Sequence, residues 1–323
     1  MLPSRPPSPE DAEEICAAAA TAGLRVTHLV AIAPDASTRR FFRAELTNHP
    51  TVVACLYPPG EEPRLSHDWE VHQWAWQHRL PVPAPLARTA RVTISTDLGS
   101  VDLEQALREV GEGVLTPALA CLQSFQACSP HGVPNPSFDA ALFRRELEGF
   151  ARFLPPAVAL DQLVGTFFDD LARRLVSHPY RLTHRDFHAN NLLLHEARVW
   201  AVDFQDLRLG PDTYDLVSLL RERAGGEVGV DEALWCAEAV RLLGWPAGWL
   251  DRYRECACQR GLKVLGTFLR LGRERHPDYL AHIPAVAAKL VGMLADLQAP
   301  GSLIAAVAEL ATTTGYNLSE EEP

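Results

Sequence analysis

The spacing of apolar residues changes character near residue 100. Before it, short runs rich in Val, Leu and Ile at 24–33 and 51–57 predict strands, 41–47 is a candidate for a third, and 92–97 alternates as another. An Ala-rich segment at about 11–22, ended by Gly23, predicts a helix. A second helical stretch runs from about Leu65 to Arg79 and is closed by Pro81, Pro83 and Pro85. Between the first two strands, Asp35-Ala-Ser-Thr-Arg39 supplies the short polar residues of a hairpin turn. Beyond 100 the pattern is helical: Phe143, Leu147, Phe150 and Leu154, then stripes through 161–177, 212–223, 231–244, 248–272 and 284–312. One stretch breaks the rhythm. Within 182–203, Leu192-Leu-Leu194 and Val199-Trp-Ala-Val202 stand around polar clusters. The pattern predicts an α+β chain with a β-rich N-terminal lobe, 1–98, and a mainly helical lobe, 99–323. Such a bilobal plan places a ligand site between lobes.

Charge and composition narrow the partners. The 323 residues carry 41 acidic against 30 basic side chains, a formal −11, which argues against nucleic acid or an anionic membrane as partner. No window approaches ~18 uncharged apolar residues, so no membrane span is expected. The Pro-rich start, with Pro3, Pro6, Pro7 and Pro9, reads as a loose arm and lacks the basic and apolar blocks of a signal peptide. Seven scattered cysteines without a C-x-x-C spacing predict reduced thiols in a cytoplasmic protein. We expect a monomer acting on a small molecule. One asymmetry matters later: the only lysines are Lys263 and Lys289, and every other basic residue is arginine.

The informative motif is His184-Arg-Asp186-Phe-His188-Ala-Asn-Asn191, followed by Val202-Asp203-Phe-Gln-Asp206. Phosphoryl transfer from a nucleotide needs a carboxylate at the acceptor hydroxyl and oxygen ligands that hold Mg²⁺ across the phosphates. His184, Asp186 and Asn191 have the H-R-D-x-x-x-x-N spacing of a kinase loop, and Asp203-Phe-Gln stands where a metal-binding D-F-G would sit. Any one of these residues alone reads as a turn or a cap. The joint order, spacing and strand context does not.

These residues resemble the aminoglycoside phosphotransferase and choline kinase-like family, and within it the bacterial anomeric kinases of N-acetylmuramate and N-acetylglucosamine. The match runs through Val202-Asp-Phe-Gln-Asp206, Gly210-Pro-Asp-Thr-Tyr-Asp-Leu-Val-Ser-Leu-Leu220, Asp35-Ala-Ser-Thr-Arg39-Arg-Phe-Phe-Arg43, Asp97-Leu-Gly99 and Leu142-Phe-Arg-Arg-Glu-Leu-Glu148. The resemblance implies a protein-kinase-like fold and an ATP- and Mg²⁺-dependent transfer to a sugar hydroxyl, as in cell-wall sugar recycling. It implies Asp186 as catalytic base, Asn191 and Asp203 as metal ligands, and His184, His188, Asp206 and Asp215 as supporting residues. Residues 95–98, with Asp97, would lie at the hinge where adenine binds.

Phosphate binding departs from the kinase pattern. No G-x-G-x-x-G or G-x-x-x-x-G-K-[ST] is present, and the strand Thr51-Val-Val-Ala-Cys-Leu-Tyr57 lacks the expected lysine, as the sugar-kinase members also tend to. Glu70 stands where that lysine's helix partner would be. Ser37, Thr38, Arg39 and Arg43 are the candidates to bind phosphate instead, and in an extended 39–43 the residues Arg39 and Arg43 share a face while Arg40 points away. Either arginine could replace the lysine's charge. Two other functions fit the same sequence: a kinase of aminoglycosides or other small alcohols, and an inactive nucleotide-binding scaffold.

Overall fold

A computed structural model describes residues 6–32, 38–47, 49–222, 230–274 and 277–312. Packing gathers the chain into two units, one of residues up to Pro136 with His184–Arg208, the other of Ser137–Thr183 with Leu209 onward.

The first unit is built on a five-stranded sheet of order β1-β2-β3-β5-β4. Its strands are β1 (Val26–Ile32), β2 (Arg40–Leu46), β3 (His49–Leu56), β4 (Pro85–Arg88) and β5 (Val92–Thr96), all paired antiparallel. Register fixes the two faces. Phe42 lies opposite Ala54, which lies opposite Ile94, so these side chains share one face with Ala44, Val52 and Val92. Helix α1 (Pro9–Thr21) covers that face with Ile15 and Ala18, both fully buried. A reciprocal capping box between Ser8 and Asp11, with Pro9 in the first turn, starts the helix. Truncating Phe42, 1 % exposed, would cost about 3–5 kcal/mol. The other face carries Val30, Phe41, Arg43, Val53, Cys55 and Ser95. It is the more open one, with Val30 46 % exposed.

The prolines after residue 79 predict only a helix stop, yet Pro85 opens β4. As the sheet's edge strand it has no ladder bond to lose at proline. Helix α2 (Glu62–Gln77) buries Leu65, Asp68, Val71, Trp74 and Ala75. Helices α3 (Leu103–Val110) and α4 (Leu115–Ala127) follow. The 184–208 segment carries the hairpin of β7 (Leu192–His195) and β8 (Arg198–Ala201). Glu196 and Ala197, both at positive φ, form its two-residue turn.

The second unit is mainly helical: α5 (Ala140–Ala151), α6 (Pro156–Ala159), α7 (Gln162–Val176), α8 (Tyr214–Arg221), α9 (Glu232–Leu243), α10 (Trp249–Glu274), α11 (Ile283–Asp296) and α12 (Gly301–Thr312). Short strands β6 (Tyr180–Thr183) and β9 (Arg208–Pro211) pair beside them. Gly266 lets α10 approach α5, because a Cβ there would stand 2.8 Å from Phe150 Cα. The apolar stripe over 284–312 predicts one helix, but Pro300 divides it into α11 and α12. The chain is α+β with the bilobal kinase-like plan expected. All seven cysteines are free thiols. Among the described residues, no helix is long and apolar enough to cross a membrane.

Candidate active site

The loop after Thr183 is held by its own polar groups. His184 is fully buried and donates its Nε2 hydrogen to the Val202 carbonyl at 3.0 Å. Burial pulls its pKa down to about 4, against the opposing charges of Asp186 and Asp203, so the ring is neutral at pH 7. Phe125 and Phe187 pack against it edge to face. Asn191 closes the loop: its backbone N–H donates to the His188 carbonyl, its Nδ2 to the Asp186 carbonyl, and its own carbonyl accepts from Val202 N–H, each at 2.9 Å. His188 Nε2 lies 3.2 Å from the same Nδ2. Asp186 itself is half-buried.

Two residues of this region sit in the left-handed backbone region, Arg185 at φ 80° and Asp203 at φ 61°. Each such position costs a non-glycine residue about 1–2 kcal/mol and persists only where its surroundings impose it. Asp206 is part of what imposes it. Its carboxylate takes Arg185 NH1 at 3.2 Å and Arg208 NH2 at 3.4 Å, and its carbonyl accepts from Arg208 Nε at 3.1 Å.

The segment after Asp203 is tied to α2. Phe204 meets the His72 ring edge to face at 5.0 Å, and His72 donates Nε2–H to the Pro83 carbonyl at 2.7 Å. Burial lowers the His72 pKa and keeps that ring neutral. Farther up the helix, His67 Nε2 donates to Asn135 Oδ1, whose Nδ2 donates to the carbonyls of Gln205 and Leu207, all at 2.9 Å.

Arg39 joins the two sides. It is 7 % exposed, with NH2 2.8 Å from Asp203 Oδ1 and NH1 3.3 Å from Asp68 Oδ2. Tyr57 donates its hydroxyl to the same Asp68 oxygen at 2.9 Å, and Gln205 Nε2 donates to the same Asp203 oxygen at 3.0 Å. Burial disfavours the guanidinium charge, but Cys55, Asp203 and Tyr57 around it hold its pKa above the ordinary value. Burial likewise raises the Asp68 carboxyl, more than Tyr57 and Arg39 lower it, and lifts the Cys55 thiol to about 12.

Arg43 has a different partner. Its Nε and NH2 make a fork on Asp97 at 2.5 and 3.1 Å, and NH2 also reaches the Gly99 carbonyl at 3.0 Å. Thr51 donates to Asp97 at 2.7 Å and the Gly99 N–H at 2.9 Å. Burial alone would raise the Asp97 carboxyl; these hydrogen bonds hold it below its usual value.

The remaining candidates are spread out. Thr38 is exposed, donates to Glu61 and accepts from Arg64. Ser37 lies outside the described residues. Asp215 is fully buried in the first turn of α8 in the second unit. Glu70 is exposed on α2, and the acid that meets Arg39 from that helix is Asp68. Two residues at 100° each carry a side chain about 200° round the helix, away from its neighbours. A charged residue inside the apolar stripe Leu65, Asp68, Val71 and Ala75 was the available signal for Asp68. Tyr57, Gln205, Asn135 and Thr51 carried none.

Asn191 and Asp203 are hard oxygen donors of the kind Mg²⁺ takes. The Asn191 amide nitrogen is committed to the loop, leaving its oxygen as the ligand atom, and the Asp203 side chain is 43 % exposed. The residues fit the ion. Among the described residues, no three His, Cys, Asp or Glu side chains form a cage of their own, so phosphate oxygens would complete the shell. The first unit also has a cavity of about 830 Å³ between the end of α2, α4 and the β7–β8 hairpin, lined by Trp76, Arg79, Cys121 and Trp200 among others. None of the residues above lines it.

The H-R-D loop, its asparagine and the aspartate beyond a short hairpin share one unit with the antiparallel sheet, and comparison with known proteins makes the chain an ATP-dependent phosphotransferase. The chain belongs to the phosphotransferase enzyme family, whose model matches residues 28–256. It is 31 % identical over 273 residues to the N-acetylmuramate/N-acetylglucosamine kinase of Neisseria meningitidis serogroup B, covering 78 % of this chain and 81 % of that one. It is 31 % identical over 282 residues to the protein of that name from Pseudomonas aeruginosa, covering 79 % and 80 %. Among solved structures, the gentamicin–APH(2")-IIa complex aligns with a TM-score of 0.64 at 13 % identity, over 93 % of this chain and 99 % of that one.

Proposed function

We propose that this protein transfers the γ-phosphoryl group of ATP to the anomeric hydroxyl of an N-acetylmuramate- or N-acetylglucosamine-type sugar. The observation that carries the substrate class is the identity to kinases of that name, running over most of both chains. The observation that carries the reaction type is the laced loop presenting Asp186, Asn191 and Asp203 within one compact unit.

In this reading Asp186 accepts a hydrogen bond from the acceptor hydroxyl and takes its proton as the sugar oxygen bonds the γ-phosphorus, while the bond from that phosphorus to the bridging oxygen breaks and ADP leaves. Neutral His184 keeps the Val202 carbonyl in place, which fixes the start of the turn at Asp203. Asn191 and Asp203 would hold Mg²⁺, which would supply positive charge against the phosphates. Arg185 and Arg208, through Asp206, keep the loop from relaxing out of its strained backbone. The lobe at 1–98 takes the nucleotide, the part from 99 onward supplies the sugar pocket, and the protein works as a cytoplasmic monomer.

A coupled ATP-consumption assay over amino sugars, neutral sugars, aminoglycosides and choline tests the reading. Turnover on N-acetylhexosamines and none on aminoglycosides is expected. Turnover confined to aminoglycosides, or none on any acceptor with nucleotide still bound, overturns it. Asp186→Asn should lower kcat by about 10²–10⁴ with nucleotide affinity retained; a variant keeping most of its rate removes Asp186 as the base.

A further inference from the structure

A nucleotide triphosphate brings several negative charges, and a protein that transfers its γ-phosphoryl group must meet them with fixed cations. In this chain no lysine can do so from the sheet, since Lys263 and Lys289 both belong to the second unit. The arginines around the sheet are in most cases already engaged. Arg40 points to the α1-covered face, where it pairs with Asp11 of that helix at 2.6 Å. Arg43 closes a fork on Asp97. Arg185 holds Asp206. Arg64 is exposed and bonds Glu61 and Thr38. Arg39 differs from all of them in joining a buried acid to the aspartate that the proposed function uses as a metal ligand.

We propose that Arg39 is the phosphate-positioning cation of this enzyme, anchored by Asp68 and Tyr57, and that its NH2 group passes from Asp203 to a phosphate oxygen when a metal–nucleotide complex engages Asp203. This rests on the function proposed above. The anchor and the exchangeable contact are distinct in the geometry. On one side, Asp68 is 9 % exposed and its Oδ2 receives both Arg39 NH1 and the Tyr57 hydroxyl, so the residue just after β3 and helix α2 jointly fix that end of the guanidinium. The Phe41 and Tyr57 rings flank it, with centroids 5.5 and 5.9 Å from its central carbon. On the other side, the Asp203 side chain is 43 % exposed, and its Oδ1 is shared between Arg39 and Gln205.

The planar fork makes this division workable. A guanidinium presents donors in two directions at once, so it can keep one acid while changing partner at the other edge, which an ammonium on a flexible stem does poorly. The exchange also balances charge. Without nucleotide, Arg39 neutralises Asp203, and with metal and phosphate present the cation neutralises Asp203 while Arg39 meets the added anion. Asp203 is thereby kept paired in both states. The arginine stands just ahead of β2, on the open face of the sheet, so the chain delivers this cation from a different strand than the one that lacks the lysine.

The test measures binding rather than turnover. ADP and a non-hydrolysable ATP analogue are titrated into wild type, Arg39→Gln and Asp68→Asn with and without Mg²⁺, and Mn²⁺ alone is titrated by its paramagnetic signal. Loss of a charge-assisted contact predicts a rise in the Kd of the Mg²⁺–nucleotide complex of about ten- to hundredfold for Arg39→Gln. A smaller rise is expected for Asp68→Asn, which keeps the Tyr57 contact. Mn²⁺ without nucleotide should bind Arg39→Gln more tightly than wild type, because Asp203 has lost its competing cation. Thermal melting of both variants establishes that they fold, and Arg39→Lys substitutes for Arg39→Gln if that variant does not, with a partial rather than complete loss of affinity expected. Wild type that binds nucleotide, with Arg39→Gln binding it equally well, overturns this proposal alone. Wild type that binds no adenine nucleotide overturns the proposed function as well.

Discussion

Arg39 and Arg43 stand four residues apart on the same face of the sheet, and their surroundings differ in every respect that sets a charge to work. Arg43 lies opposite Val53, which lies opposite Ser95, so Thr51 and Asp97 one pleat further along are its natural neighbours. Asp97 is stiffly held by Thr51 and the Gly99 N–H, and the fork between arginine and acid is complete within the sheet. Arg39 lies at the other end, past the last rung of the ladder, where α2 and the Asp203 turn supply acids from two separate segments. A closed ion pair ties strands together. An ion pair stretched between a buried acid and an exposed one can be re-partnered. The lesson is that the position of a cation on a strand says less about its surroundings than the burial of the acids it meets.

The contrast can be broken or sharpened by substitution. The largest effect is expected at the open end: Arg39→Ala should lower kcat/KM for ATP by about ten- to hundredfold, and by more than Arg43→Ala does. Equal losses from both variants in steady-state kinetics would erase the distinction. Next comes the pH dependence that His184 imposes on the ground both ends share. Its folded pKa of about 4 lies below the ordinary 6.5, so the unfolded chain binds the proton more readily and stability falls as pH drops from 6.5 towards 4. The loss approaches about 3 kcal/mol. Chemical denaturation at pH 7 and 4.5 should show that slope in wild type and a shallower one in His184→Gln.

At the closed end, Asp97→Ala strands Arg43 and Thr51 and should cost about 2 kcal/mol, read from a denaturation midpoint. The lowered Asp97 pKa adds a sign: the stability it contributes is present above the usual carboxylate value of 3.8 and is lost as pH falls through its lower folded value. The acid limb of the stability curve should therefore flatten in Asp97→Asn. The smallest effect belongs to Arg40, 39 % exposed beside α1, where Arg40→Ala should cost under about 1 kcal/mol in the same assay.

Much of the fold was legible because its signals are local. The strands of the sheet, the helix after them and the helical remainder follow from residue spacing, and β4 escaped because Pro85 masks a strand that only an edge position permits. The proximity of the candidates Asp186, Asn191 and Asp203 within one unit was legible for the same reason, since their intervals fall within twenty residues. The partners of Arg39 and Arg43 were not. Both arginines read as equivalent along an extended strand, and what separates them lies tens of residues or more away: Asp97 by way of register, Asp68 and Asp203 by way of tertiary packing. Glu70 was the natural choice for the helix acid, and the helix turns it outward to solvent.

The use of arginine at position 39 also decides how this protein can be detected. Reagents that tag nucleotide sites by acylating a nearby amine need a lysine that can shed its proton, and a guanidinium does not do so at any pH a protein survives. Lys263 and Lys289 belong to the other unit, so the sheet and its loop offer such a reagent no lysine side chain. In a survey that scores sites by amine labelling, the first unit of this chain would contribute no labelled lysine.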